Sequence, residues 1–312
     1  MENAQTSYPI IRLGTRNSPL AMAQAHEVRA RLCTAHDWPE EAVEIVSVTA
    51  SGDKVQDRPL AEIGGKALWT KELDQWLFEG KIDASVHSAK DVETIRPAEL
   101  SFAAVLPRAD RRDCLIGAGS IAELPKGAIV GTSAPRRAAQ LLHMRPDCEV
   151  VMFRGNVATR LAKLEAGEAD ATFLAAAGLE RLGQSAVGNP LDPNDWLPAA
   201  GQGAIVVEAM ADSDAQKQIA ALDDAATHAE LNAERSLLAA LGGTCHSPVA
   251  TECLFADGIL SMRAAIFSED GTERVDASAE FAAGDLDIVT ALAHDLLGRA
   301  SPAIRQHFTG HE

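Results

Sequence analysis

No run of apolar residues in this 312-residue chain approaches the roughly 18 needed to cross a bilayer, so no membrane partner is expected. The first residues, Met1 to Pro9, are polar and lack the apolar core of a signal peptide, which sets the expectation of a soluble, cytoplasmic protein. Cysteine is sparse and scattered. Cys33, Cys114, Cys148, Cys245 and Cys253 form no CxxC pair, so the usual zinc spacing is missing and no metal is expected; an odd count in a cytosolic chain argues for free thiols. Basic residues are also in short supply, 28 against 45 acidic, for a formal charge of −17. Binding a phosphate backbone needs a basic field, so a nucleic-acid partner is not expected. No long apolar surface stretch stands out either, which favours a monomer.

What is present is a hydrophobic content of 46%, enough for two or three domains with real cores. The charge is uneven. From Ile205 to Glu312 there are 6 Lys and Arg against 18 Asp and Glu, whereas Gly131 to Glu165 carries 6 against 3. A basic island in an acidic protein points to a pocket for a small anion.

The chain opens with the buried-strand pattern Ile10 to Leu13, then Gly14-Thr15-Arg16-Asn17-Ser18-Pro19 and a helix to about Leu32. Ser18 suits an N-cap and Pro19 the first helical position. The reading is a strand, a tight turn bearing Arg16, and a helix N-terminus. Such a site favours an anion, and the arginine fork matches a carboxylate. The same pattern returns at Val130-Gly131-Thr132, ahead of Arg136, Arg137 and a helix to about Met144. A second echo pairs Leu77 to Ala84 with Leu164 to Ala171, each ending a helix and entering a strand. Two similar α/β halves follow. The echoes are 117 and 87 residues apart, so the first half holds about thirty extra residues, assigned to a polar lid over a cleft at 48–65.

Between the echoes, Leu68, Trp69, Leu73, Trp76 and Leu77 form an apolar helix face that reads as core packing. Strands are expected at Ala84 to His87, Val150 to Phe153, Ala171 to Leu174 and Ala204 to Glu208, with strand-like runs near Ile259 to Phe267 and a helix from about Leu286 to Ala300. Strand Ala84 to His87 runs into Ser88-Ala89-Lys90-Asp91, placing a cation and a carboxylate at a strand's carboxyl end, where α/β folds bind ligands. Asp91 reads either as a helix cap or as a general acid/base that stabilises a developing cation. Arg16, Lys66, Lys90, Arg136, Arg137, Arg154 and Arg160 all stand at turns or early in helices after strands, which suits a ligand with several carboxylates.

A single cysteine closes the pattern. The helix from about Thr227 to Leu241 stops at Gly242-Gly243 and leaves Cys245 on the turn beyond, before His246 and Pro248. A lone cysteine is usually a small buried apolar residue; the alternative is a covalent attachment site. Thiols are activated at helix N-termini, not after C-termini, so a bond to Cys245 would require an incoming electrophile. A Cys-His protease pair with His246 is rejected, because adjacent residues rarely give nucleophile-base geometry.

Taken together and in order, Gly14 to Ala21, Gly64-Gly65-Lys66, Lys71-Glu72-Leu73, His87 to Asp91, Gly131 to Ser133, Arg136-Arg137, Arg154 to Val157, Thr159 to Leu161, Ala177 to Leu179, Gly201-Gln202-Gly203 and Cys245 closely resemble the hydroxymethylbilane synthase (porphobilinogen deaminase) family. The likeness covers nearly the whole chain and is weakest beyond Val249. It implies an α/β protein with two similar lobes like type II periplasmic binding proteins and a smaller α+β C-terminal domain. The implied domains are 10–106 with 203–222, then 110–199, then 225–312, with crossovers near Pro107 and Ala200.

The resemblance further implies a dipyrromethane cofactor on Cys245, held by Ser88, Lys90, Thr132, Ser133, Arg136, Arg137 and Arg154. Arg16, Ser18, Lys66, Arg160 and Gln202 are implied to bind the substrate porphobilinogen, and Asp91 to be catalytic. Four porphobilinogen units are then joined head to tail with loss of ammonia. Each pyrrole carries an acetate and a propionate, which explains the demand for bidentate arginines. The chain departs from the family in reading Gly-Gly-Thr-Cys-His at the cysteine turn, Ala134-Pro135 where serine and leucine are common, and Glu62 where a basic residue is common. The competing reading is a two-lobed anion-binding or sensor protein of the same architecture, told apart by a covalent chromophore.

Overall fold

The computed structural model describes residues 10–48, 70–244 and 246–308. Cys245, Glu62, Lys66, Leu68, Trp69 and all of the expected lid except Val48 lie outside the described residues.

The first sheet draws on β1 (Ile11–Arg16), β2 (Val43–Val48), β3 (Ala84–Ser88), β4 (Leu100–Val105) and β10 (Ile205–Met210), in the order β2-β1-β3-β10-β4. β1 is parallel to β2 and β3, whereas β10 runs antiparallel between β3 and β4. The second sheet uses β5 (Asp113–Ile116), β6 (Ile129–Gly131), β7 (Glu149–Val151), β8 (Ala171–Ala175) and β9 (Asn189–Pro190), in the order β7-β6-β8-β5-β9. Here β5 takes the place that β10 takes in the first sheet, antiparallel to its neighbours. The chain therefore leaves the first sheet after Val105 and re-enters it at Ile205. One strand order repeated with one antiparallel strand inserted from the crossover is the type II periplasmic-binding-protein arrangement.

The repeated glycine of the Gly-Thr motif has a packing cause. At Gly14 an added Cβ would lie 2.3 Å from Ile82 Cδ1, and at Gly131 2.3 Å from the Phe153 ring. Each glycine lets a bulky side chain close over its strand. Strand β1 continues through Arg16, paired with Val48 of β2, so Arg16 ends a strand instead of occupying the turn expected for it. Backbone pairing with β2 outlasts the apolar pattern. Helix α1 (Pro19–His36) then starts where Ala21 N–H donates to Ser18 Oγ at 3.4 Å with Pro19 in the first turn, and it stops at Asp37 in the left-handed region, φ 52°. It runs past Leu32 because nothing in its last turn breaks it.

Helix α2 (Lys71–Phe78) buries Leu73 and Leu77 against Ile82 and Leu100, with Trp76 partly buried beside them. In the second lobe, α3 (Pro135–Met144), α4 (Val157–Glu165) and α5 (Ala176–Arg181) follow β6, β7 and β8. Short α6 (Asp214–Ile219) follows β10. The C-terminal domain is an antiparallel meander of β11 (Val249–Ala256), β12 (Ile259–Phe267) and β13 (Arg274–Ala282), packed against α7 (Ala225–Leu241) and α8 (Leu286–Arg299), with the short α9 (Pro302–Arg305) after them. β11 and β13 were not expected from the sequence. β13 alternates small and charged residues and buries fully only Phe281, so it carries little apolar signal. Helix α7 begins where Thr227 N–H donates to Asp224 Oδ1 and ends with Gly242 at φ 66°. No helix among the described residues is long and apolar enough to cross a membrane.

Candidate functional site

Strand β3 delivers its carboxyl end to the junction of both lobes and the C-terminal domain. After Ser88 the chain makes one 3-10 turn, Ala89–Asp91, anchored by Ala89 N–H donating to Ala204 O at the start of the returning strand. Lys90 Nζ reaches Gln202 Oε1 at 3.5 Å. Burial, then Arg137 and Arg136, push the Lys90 ammonium down to about 8, against the pull of Asp91 and Asp113. Asp91 is half-buried, with Arg16 Nη2 3.7 Å from its Oδ2. The Arg16 expectation and the Asp91 expectation thus meet at one ion pair.

One cleft gathers Lys90 and Asp91 from the first lobe, Ser133, Arg136, Arg137 and Arg160 from the second, Gln202 from the crossover, and Arg235, Thr244 and His246 from the C-terminal domain. Counting the space open to solvent, it holds about 1140 Å³. Arg160 sits one turn into α4; Asn156 caps that helix by accepting from Thr159 N–H, and Arg160 Nε donates to Gly155 O. Burial, then Arg137, push its guanidinium down to about 10, with Arg154 adding to this and Asp91 opposing it. Arg154 is buried. It also lies near enough to His246 to add to the burial that lowers that imidazole's pKa.

Other expected residues serve the scaffold. Ser18 Oγ caps α1, Ser88 Oγ accepts from Gln24 Nε2 at 2.8 Å, and buried Thr132 accepts from Ala134 N–H through Oγ1. Ser18, Ser88, Thr132, Arg16 and Arg154 are not among the residues lining this cleft. Lys66 and Cys245 lie outside the described residues, although Thr244 and His246 on either side of Cys245 line the cleft.

Arg136 and Arg137 are more deeply placed than their position in the sequence suggests. Each is 5% exposed, and both donate to the single carboxylate of Asp113. Arg137 Nε is buried with no hydrogen-bond partner among the described residues. A buried guanidinium N–H without an acceptor is costly, and here it belongs to a side chain that lines the cleft. With Lys90, Arg136, Arg137, Arg160 and Arg235 all lining it, the cleft suits an anionic group.

Three site residues went unread in the sequence. Asp113 opens the apolar strand Asp113-Cys114-Leu115-Ile116, and an acid at the head of a buried strand was the available signal. Arg235 lies within α7, where nothing local marks it as a site residue. Its Nη2 donates to Glu93 O at 2.6 Å and Thr94 O at 2.9 Å, and its guanidinium stands 4.8 Å from the Phe102 ring centroid. Burial pushes it down to about 10. Glu234, fully buried in the same helix, accepts from Gly201 N–H at 2.7 Å, Arg108 Nη2 at 2.8 Å and Cys253 N–H at 3.1 Å. One carboxylate thus ties both crossovers to the C-terminal domain. Among the described residues, no group of three or more His, Cys, Asp or Glu is placed to hold a metal ion.

The family model described as porphobilinogen deaminase, dipyromethane cofactor binding domain, matches residues 11–218, and the model of the porphobilinogen deaminase C-terminal domain matches 228–297. A porphobilinogen deaminase from Sphingopyxis alaskensis is 55% identical over 305 residues, covering 96% of each chain. One from Nitrobacter winogradskyi is 45% identical over 315 residues, covering 99% of this chain and all of its own. Among solved structures, a periplasmic substrate-binding protein of an ABC transporter from Coxiella burnetii aligns with 70% of this chain and 94% of its own at 16% identity and a TM-score of 0.40. With both family models matched across the lobes and the C-terminal domain, this chain belongs to the porphobilinogen deaminase family.

Proposed function

We infer that this chain is a hydroxymethylbilane synthase, a transferase of porphyrin biosynthesis that condenses four porphobilinogen molecules head to tail, releases ammonia, and carries a covalent dipyrromethane cofactor. The observation that carries the reading is one cleft in which Lys90 from the first lobe, Arg136, Arg137 and Arg160 from the second and Arg235 from the C-terminal domain stand around Asp91. A chain of pyrroles, each with two carboxylates, engages cations on both lobes at once.

In this reading Cys245 bears the cofactor, and Lys90, Arg136, Arg137 and Ser133 meet it from the cleft lining, while Arg154, Ser88 and Thr132 support it from behind that lining. When bound, the cofactor supplies a pyrrole ring with a free α-carbon as the site of chain growth. Arg160 and Arg16 hold the incoming substrate's acetate and propionate, with Ser18, Lys66 and Gln202 assisting. The C–N bond of porphobilinogen's protonated aminomethyl group breaks, ammonia leaves with the electron pair, and a methylene-pyrrole cation remains. The Asp91 carboxylate stabilises that cation and accepts the pyrrole N–H. Arg16, 3.7 Å from Asp91 Oδ2, fixes the carboxylate's orientation. Arg235, bound to the backbone carbonyls after Asp91, holds the turn from the C-terminal side.

The domains proposed are 10–106 with 203–222, 110–199 and 225–312. The protein is proposed to work as a cytoplasmic monomer without nucleic acid, in line with its charge of −17.

Intact mass of the purified protein beside Cys245→Ser, together with an aldehyde colour test for pyrroles, examines this function. The expected result is a two-pyrrole mass excess that disappears in the variant. A wild type that stays unmodified after incubation with porphobilinogen would overturn the reading in favour of simple anion binding.

A further inference from the structure

The Asp113 carboxylate is wholly buried and uses both oxygens twice. Oδ1 accepts from Arg137 Nη2 at 2.7 Å and from Gln202 Nε2 at 2.8 Å. Oδ2 takes the Arg136 Nη2 contact at 2.8 Å and accepts from Trp196 Nε1 at 2.8 Å. Each arginine has a second fixed point: Arg136 Nη1 donates to Leu197 O and Arg137 Nη1 to Phe173 O, both at 2.9 Å. A planar guanidinium held at two points has no freedom to turn. Gln202, whose Nε2 also donates to Arg111 O at 2.8 Å, offers its oxygen to Lys90.

An ordinary buried ion pair balances one cation with one anion. Here two guanidiniums share one carboxylate, with the Lys90 ammonium one residue further along the chain of contacts. The surplus positive charge is buried against the cleft, where it is costly until an anion arrives. We propose that Asp113 is the positioning residue of the cleft: a single buried carboxylate that orients Arg136, Arg137 and, through Gln202, Lys90 toward the carboxylates of the bound pyrroles. The proposal rests on the functional reading above and deepens it, since nothing in that reading requires an acid behind the arginines.

The charged groups acting on Lys90 are Arg136 and Arg137 from α3, Asp91 beside it, and Asp113 from β5. Asp113 and Asp91 favour the ammonium; the arginines oppose it. Replacing Asp113 by the isosteric amide therefore removes one of the two supports for the Lys90 charge and sets an NH2 group against donors that need an acceptor.

The test uses the full-length holoenzyme and Asp113→Asn, compared at matched cofactor content by intact mass. Two quantities are read: kcat and KM for porphobilinogen, and the pH midpoint of Lys90 acetylation by acetic anhydride, followed by peptide mass. A loss of kcat/KM of about tenfold to hundredfold is expected, from misaligned cations. With it, the Lys90 midpoint falls by about half a pH unit or more. A variant that merely loosens the fold lowers the unfolding temperature and the active fraction without moving that midpoint. A folded Asp113→Asn with an unmoved midpoint, or with kcat/KM within about twofold of wild type, overturns the proposal. If Asp113→Asn does not fold, Gln202→Met, which cuts the link to Lys90 and leaves the ion pairs intact, is judged by the same two readings. A wild type that neither loads cofactor nor turns over porphobilinogen sinks the functional reading instead, and the Lys90 midpoint then decides the role of Asp113 alone.

Discussion

Replacing Glu234 by alanine tests whether the crossovers and the C-terminal domain are one mechanical unit. The carboxylate is 0% exposed and meets Gly201 N–H, Arg108 Nη2 and Cys253 N–H, which belong to the second crossover, the first crossover and β11. Its loss strands two backbone donors and weakens the hold on a buried guanidinium. Removing one partner of a buried pair costs about 3–5 kcal/mol. Arg108 keeps Glu230 Oε2 at 3.2 Å and the carbonyl of Gln202, which argues against the top of that range. We expect about 4 kcal/mol, or roughly 8 °C in unfolding temperature at about 2 °C per kcal/mol for a chain of this size. The assay is thermal and urea unfolding of the wild type, Glu234→Ala, Arg108→Ala and the double variant. Removing Arg108 as well takes away the guanidinium that has lost one of its two carboxylates, so the double variant should recover about 1–3 kcal/mol relative to the summed singles. A single-variant cost below about 1 kcal/mol, or strict additivity, would refute the reasoning.

Two further outcomes follow from the same geometry. Asp91→Asn should lower kcat by about a hundredfold to ten-thousandfold, with unchanged unfolding temperature and intact cofactor mass, because it removes a charge and not a packing group; turnover within about threefold of wild type would exclude the role given to Asp91. Buried His87 is held near 3 by burial, then by Arg96 and Arg16, and its Nε2 stands 2.9 Å from Ser85 Oγ. Its folded pKa lies below the unfolded value of 6.5, so the neutral ring contributes stability that is present above pH 6.5 and lost as pH falls toward 3. Glu208 Oε2, 3.6 Å from the ring, works against this, so at pH 5 the loss is at most about 2 kcal/mol, and His87→Gln should flatten the acid slope by up to that amount; an unchanged slope in urea titrations at several pH values would count against it.

The amino-acid order by itself determined a good deal. The doubled Gly-Thr motif, the cap at Ser18, the stop at Gly242 and the apolar strands were all legible, because each is set by residues within a few positions of one another. The basic residues at strand ends were legible for the same reason, and Lys90, Arg136, Arg137 and Arg160 do line one cleft. The boundary at Arg16 and the strands β11 and β13 were misread or missed where pairing with a neighbouring strand, not apolar periodicity, sustains the backbone.

Only the tertiary structure decided what those cations face. Asp113 finds Trp196 and Gln202 more than eighty residues away, and Glu234 finds Arg108 across more than a hundred. Local patterns carry no record of such partners. Whether a carboxylate is a solvated surface group or a buried hub depends on the closure of two sheets and a helix around it, and that closure exists only in three dimensions.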